Sequence, residues 1–215
     1  MTAIVWQRGI LRDEYGVTES QMKWRTGTLE PSTHARAERV TFNLPENVEP
    51  IPIDKSLSKM LADGEIDAIF TSRQPSTFDG DTVVRLFPNF KEVEKDYFTR
   101  TKILPIMHVI VIKRALYDSH PWLATNLVKA FSQSLDIAAR ALEERSTVTV
   151  MLPWLVDHFQ ETREALGERY WVDGLQQNRH IIDKFCQYSY DQGLAQSRFQ
   201  PEDLFAPNTL QSHAV

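Results

Sequence analysis

Arg100, Thr101 and His108 set a fixed cation, a hydroxyl and a titratable ring along one short stretch, Tyr97 to Arg114, which reads YFTRTKILPIMHVIVIKR. Imidazole is the side chain whose ordinary pKa lies nearest neutrality, so it can take or give a proton under mild conditions. A guanidinium stays charged when partly dehydrated and pairs two-pronged with a carboxylate. Together they put an anion-pairing group and a proton carrier on one segment. A second polar group, Thr71, Ser72, Arg73 and Gln74, runs into Pro75. The competing readings are a core histidine satisfied by its neighbours and arginines engaged in ordinary ion pairs.

These residues need elements to position them. Ile103 to Ile112 is nearly continuously apolar and β-branched, which predicts a strand buried on both faces, entered at Pro105 and holding His108 inside it. A buried imidazole there needs a hydrogen-bond partner or a task. Asp54 is expected to cap a helix carrying Leu57, Met60 and Leu61 and ending at Gly64, followed by a strand from Ile66 to Phe70. Thr71 to Gln74 would then leave the carboxyl end of a strand, where open α/β sheets meet ligands.

The remaining pattern starts with a helix capped by Thr2, with Ala3, Trp6, Ile10 and Leu11 on one side and Gly16 as its stop. Gln21 to Arg25, Val40 to Leu44 and Val83 to Phe87 read as short strands, and Asn89 to Phe98 as a helix. Ser119 and Pro121 open a long helix with Ala124, Leu127, Val128, Phe131, Leu135, Ala138 and Leu142 on its apolar side. Further helices are expected from about 150 to 166 and from about 175 to 190, stopped by Gly167 and Gly193. The class is α/β, with an α/β half followed by a helical half. The three late helices have wide apolar faces that call for strands this chain does not contain, so an amino-terminal truncation is expected.

Composition narrows the classes. The 215 residues are 42% hydrophobic and 25% charged with a formal net charge of -5, which describes a globular chain with room for one large domain or two lobes. No basic face offsets the mild acidity, so nucleic acid is not an expected partner. No apolar run reaches membrane-spanning length, and neither a membrane partner nor a signal peptide at Met1 is expected. Cys186 is the single cysteine, so no internal disulfide can form. His108, His120, His158 and His180 lack the short spacings that gather metal ligands on one element, so no metal residues are assigned. No Gly-rich phosphate loop and no nucleophile elbow occurs.

A set of ordered segments gives a family resemblance. Arg8-Gly9-Ile10-Leu11, Glu14-Tyr15-Gly16-Val17, Leu61 to Phe70 (LADGEIDAIF), Arg85-Leu86-Phe87-Pro88, Pro105-Ile106-Met107-His108, His120-Pro121-Trp122, Met151-Leu152-Pro153-Trp154, Asn178-Arg179, Gln192-Gly193-Leu194 and Leu204-Phe205-Ala206-Pro207 together resemble the 4,5-dihydroxyphthalate decarboxylases. The resemblance implies a two-lobed type II periplasmic-binding-protein-like fold, here N-terminally truncated because Met1 falls where the family has chain interior. Residues 1–102 would be most of the second lobe, and 103–215 a return to the first through a crossover strand and C-terminal helices.

The implied activity is a carboxy-lyase converting a dihydroxyphthalate-like aromatic diacid to a dihydroxybenzoate in a cleft between the lobes. His108 and Arg100 would be catalytic, and Arg73, Thr2, Thr101, Ser72, Trp6 and Arg8 would bind substrate. Ordinary readings stand against two of these: Arg8, one turn into the first helix, as a solvated side chain, which is the commoner case, and Trp6, on the apolar side of a helix, as core, again the commoner case. The expected ligand is a small aromatic dicarboxylate. No cofactor is expected, with a divalent metal and a homo-oligomer left open, and the expected location is cytoplasmic. The alternative is a non-catalytic solute-binding protein of the same fold that captures a carboxylate.

Overall fold

The helix expected after Met1 is present as α1, Thr2–Tyr15, in the computed structural model, which describes residues 1–31, 48–144, 146 and 150–211. Thr2 is its first helical residue, and Met1 occupies the cap position without a side-chain hydrogen bond. Gly16 ends the helix at φ 67, a left-handed conformation that costs glycine no Cβ clash, and its N–H reaches the Arg12 carbonyl at 3.0 Å. Val5, Trp6 and Gly9 are the buried residues of α1.

The protein is mixed α/β and rich in helix, with a single small open sheet among the described residues. It divides into two units, Met1–Pro88 with Asp191–Gln196, and Asn89–Tyr190 with Ser197–Val215.

In the first unit, β1 (Trp24–Thr26) pairs in parallel with β2 (Val48–Pro50), Trp24 opposite Val48 and Thr26 opposite Pro50. Just beyond, a Cβ on Gly27 would lie 2.3 Å from Cγ1 of Ile51, so this crossing requires a residue without one. The strand expected at Val40 to Leu44 lies outside the described residues. Helix α2, Leu57–Ala62, is capped by Ser56, whose Oγ accepts from the Lys59 N–H at 3.4 Å, in place of the expected Asp54. Ile66 to Phe70 forms no strand. Val83 to Phe87 forms none either, because the Asp79 carboxylate accepts from the N–H groups of Asp81, Thr82 and Val83 at 3.0, 2.9 and 2.9 Å and curls the backbone into a loop. Asp191 and Gln192 rejoin this unit: Arg12 Nη1 donates to Asp191 at 2.7 Å, and the buried Gln192 amide donates to the Val5 carbonyl at 2.9 Å.

The second unit begins with α3, Phe90–Thr101, three residues longer than expected at its carboxyl end. Lys102 closes it in the left-handed region at φ 56, and a His180 ring nitrogen lies 3.0 Å from the Lys102 carbonyl oxygen. The extended chain that follows is not the expected strand buried on both faces. Ile103 is buried, but Val109, Ile110 and Val111 are 57%, 63% and 84% exposed, and the stretch pairs with no strand among the described residues. Helices α4 (Arg114–Ser119), α5 (Trp122–Glu143), α6 (Leu155–Leu166) and α7 (Leu175–Asp191) complete the order.

Leu175, Ile182 and Cys186 recur at helical spacing along α7 and gather Ile106, Phe205 and Leu210 around them, each full burial worth about 1.5–3 kcal/mol. Asn208 ties the tail to the α4–α5 corner, accepting from the Tyr117 hydroxyl at 3.1 Å and donating to the Pro121 carbonyl at 2.8 Å. Without a ladder, the amides of Met107 to Val111 should exchange with deuterium at close to the unprotected rate, whereas those around Ile182 in α7 stay protected. Mass-spectrometric exchange of peptic fragments reads both.

Candidate functional site

In the first unit the amino-terminal end of α1 meets the turn that follows Phe70. Gln7 Nε2 donates to the Thr71 carbonyl at 3.3 Å, and the Ser72 hydroxyl lies 3.9 Å from Sδ of Met1. Ser72 thus lies against Met1, the residue that precedes Thr2 at the start of the helix. The Thr71 hydroxyl holds the turn in shape, donating to the Arg73 carbonyl at 3.0 Å and accepting from the Arg73 N–H at 3.1 Å. Ser72 and Arg73 themselves are exposed.

The far end of the same turn is held by Glu30, a residue the sequence reading passed over. Its carboxylate accepts from the Ser76 N–H at 2.8 Å, the Ser76 hydroxyl at 2.6 Å and the Ser58 hydroxyl at 2.9 Å. Hydrogen bonds from Ser76, reinforced by Ser58 and by the charge of Arg73, hold the Glu30 carboxyl below the usual carboxylate range. A folded-state pKa below the unfolded one means that this contribution to stability is present above the unfolded value and is lost as pH falls through the folded one.

Arg8 and Trp6 lie on the same helix in different surroundings. Trp6 is 1% exposed and packs in the core. The Arg8 guanidinium lies over the Trp24 ring, 4.8 Å from its centroid, and 3.5 Å from the Glu19 carboxylate. Trp24 is fixed in turn by donating from its indole N–H to the Glu19 carbonyl at 3.0 Å and by packing on Phe70. Burial pulls the Arg8 pKa down and Glu19 opposes it, so the group keeps its charge at neutral pH. Arg8 is engaged inside the unit, whereas Arg73 enters no salt bridge with a described residue.

The second unit holds Arg100, Thr101 and His108. Arg100 and Thr101 occupy the last turn of α3 and not the mouth of a strand, because α3 runs on to the Lys102 cap. Arg100 Nε donates to Asp96 one turn back at 2.8 Å. The Thr101 hydroxyl donates to the Tyr97 carbonyl at 2.7 Å and accepts from the Ile103 N–H at 3.1 Å. His108 follows on the extended chain, exposed where the sequence reading had it buried.

Burial raises the Cys186 thiol pKa, which disfavours a thiolate nucleophile there. Among the described residues no group of three or more His, Cys, Asp or Glu is placed to hold a metal ion, and no helix is long and apolar enough to cross a membrane. Within the first unit Ser72 and Arg73 offer an exposed hydroxyl and a guanidinium of the kind that pairs with a carboxylate; within the second, Arg100 and the exposed His108 offer a guanidinium and a proton-transferring ring.

No family model matches the chain. Two curated relatives do. A 4,5-dihydroxyphthalate decarboxylase of Comamonas testosteroni is 37% identical over 219 residues, covering 100% of this chain and 66% of the relative. A protein of the same name from Pseudomonas putida is 39% identical over 80 residues, covering 36% of this chain and 30% of the relative. The chain thus spans just under two thirds of the first relative's length and under a third of the second's.

Proposed function

Because the chain belongs to the 4,5-dihydroxyphthalate decarboxylase family, we propose that the protein acts as a carboxy-lyase on 4,5-dihydroxyphthalate or a closely similar aromatic diacid, releasing carbon dioxide and leaving a dihydroxybenzoate. The observation that carries this reading is the 37% identity sustained along the whole chain. The finer fold that goes with it is the two-lobed type II periplasmic-binding-protein-like architecture, and the cytoplasm is the location proposed with it.

The chemistry asks for few groups. Each ring hydroxyl of the diacid lies para to a carboxylate. Loss of its proton pushes electron density to the carbon bearing that carboxylate, and protonation there interrupts the aromatic ring. Breaking the bond to the carboxylate then releases carbon dioxide, and the bonding pair restores the ring. One proton is added where one carboxylate leaves, so no redox partner is required. His108 is assigned the proton transfer because an imidazole can both give and take a proton and this one reaches solvent. Arg73 is assigned to the retained carboxylate, supported by its exposure, its fixed turn and its lack of a salt bridge to a described residue. Ser72, next to it in the turn, and Thr2, at the start of α1, are assigned further hydrogen bonds to the substrate. Arg100 is assigned to the departing carboxylate, for which it would exchange its exposed pairing with Asp96.

The purified protein, incubated with 4,5-dihydroxyphthalate with and without a chelator, should release carbon dioxide and accumulate the monoacid in equal amounts. Saturable binding of the diacid with no carbon dioxide under any metal condition would replace the enzyme with a carboxylate-binding protein.

A further inference from the structure

We propose that Glu30 is a positioning residue for Arg73: it fixes the turn from Thr71 to Thr77 so that the guanidinium is presented to a substrate carboxylate in one orientation. The inference rests on the reading of Arg73 as the carboxylate clamp and adds a residue that neither composition nor family resemblance singles out.

Three observations carry it. First, the turn is tethered at both ends by side chains remote in sequence, Gln7 of α1 at the Thr71 carbonyl and Glu30 at Ser76. Second, Glu30 does more than touch the turn. One carboxylate oxygen takes the Ser76 N–H, and the other takes both the Ser76 hydroxyl and the hydroxyl of Ser58, which is 1% exposed. The Thr77 hydroxyl donates to the Ser58 carbonyl at 3.0 Å, so turn and helix α2 are joined on both sides of this carboxylate. Third, the residues between the tethers, Ser72, Arg73 and Gln74, are exposed. An exposed turn with no apolar anchor of its own would otherwise sample many arrangements, and each would lower the effective affinity of a two-pronged arginine for its anion.

A carboxylate is the group this job requires, because it only accepts and has lone pairs for all three donors. Glutamine in its place offers one acceptor oxygen and turns the other position into a donor that faces donors.

The test uses isothermal titration of phthalate, a diacid without the ring hydroxyls and so not decarboxylated, with catechol as the control that carries neither carboxylate, so the readout does not depend on turnover. Glu30→Gln should weaken diacid binding by about tenfold and catechol binding much less. In an Arg73→Ala background, which already binds the diacid weakly, adding Glu30→Gln should change little, because the two act through one contact. Ser76→Ala, which removes the hydroxyl donor and keeps the N–H, should give an intermediate loss in a chain with unaltered circular dichroism, and it serves should Glu30→Gln fold poorly. Equal losses from Glu30→Gln with and without Arg73, or equal losses for diacid and catechol, would make Glu30 a purely structural residue. If Arg73→Ala weakens binding and neither Glu30→Gln nor Ser76→Ala does, the positioning role falls and the clamp stands. If Arg73→Ala itself leaves binding unchanged, clamp and positioning role fall together.

Discussion

Replacing His108 by glutamine should lower kcat for decarboxylation by roughly 100- to 10,000-fold while KM for the diacid moves by less than about threefold. Glutamine keeps a polar side chain of similar reach and removes the ring that can give and take a proton. The step that needs it is delivery of a proton to the ring carbon, which exists only on the way to the transition state, so the loss falls on kcat. His108 is exposed on an extended stretch, and a substitution there costs on the order of 0.5 kcal/mol or less in stability. A large fall in rate therefore reads as lost chemistry and not lost fold. An unchanged kcat would return His108 to an ordinary surface residue and leave the proton to another donor.

The elements legible in the sequence were those with a local cause. Helix α1 with its Gly16 stop, the long α5 and the α7 face of Leu175, Ile182 and Cys186 follow from apolar residues three, four and seven apart and from glycine in the left-handed region. The expected strands failed for a non-local reason. Ile66 to Phe70 and Ile103 to Ile112 have the composition of strands, but a strand exists only where a second one pairs with it, and neither finds a partner among the described residues. At Val83 the competing cause is local, since Asp79 captures three successive N–H groups. The short α4 carries no apolar period to announce it.

The same distinction governs the candidate site. Thr71 to Pro75 was visible as a polar turn after an apolar run, and the structure keeps it as a turn. Arg100 and Thr101 changed element because Lys102 adopts a left-handed conformation usually left to glycine, which lets α3 run three residues past its expected end. His108 shifted from buried to exposed with the loss of its strand. Glu30 was invisible because its partners Ser58 and Ser76 are distant in sequence and hydroxyl groups carry no pattern. Periodicity reports which way a side chain faces, not which distant donor it meets.

Trp6→Ala should destabilise the first unit by about 3–5 kcal/mol, the range for removing a buried aromatic side chain without collapse of the space it leaves. Trp6 is 1% exposed, beside Val5 at 6% and the buried Gly9, so its ring is a principal anchor of α1. Helix α1 also carries Gln7, which holds the Thr71 end of the arginine turn, and the Val5 carbonyl that receives the Gln192 amide. Loosening the helix should therefore raise exchange in α1, in the turn and around Gln192 together, and lower the urea midpoint followed by circular dichroism. Trp6→Phe retains much of the packing and should lose less stability, with diacid affinity close to wild type. Trp6 stands among the expected substrate-binding residues beside its reading as core, and a ring enclosed to this degree favours the core. Retained stability in Trp6→Phe with diacid binding abolished would show that the ring meets substrate after all.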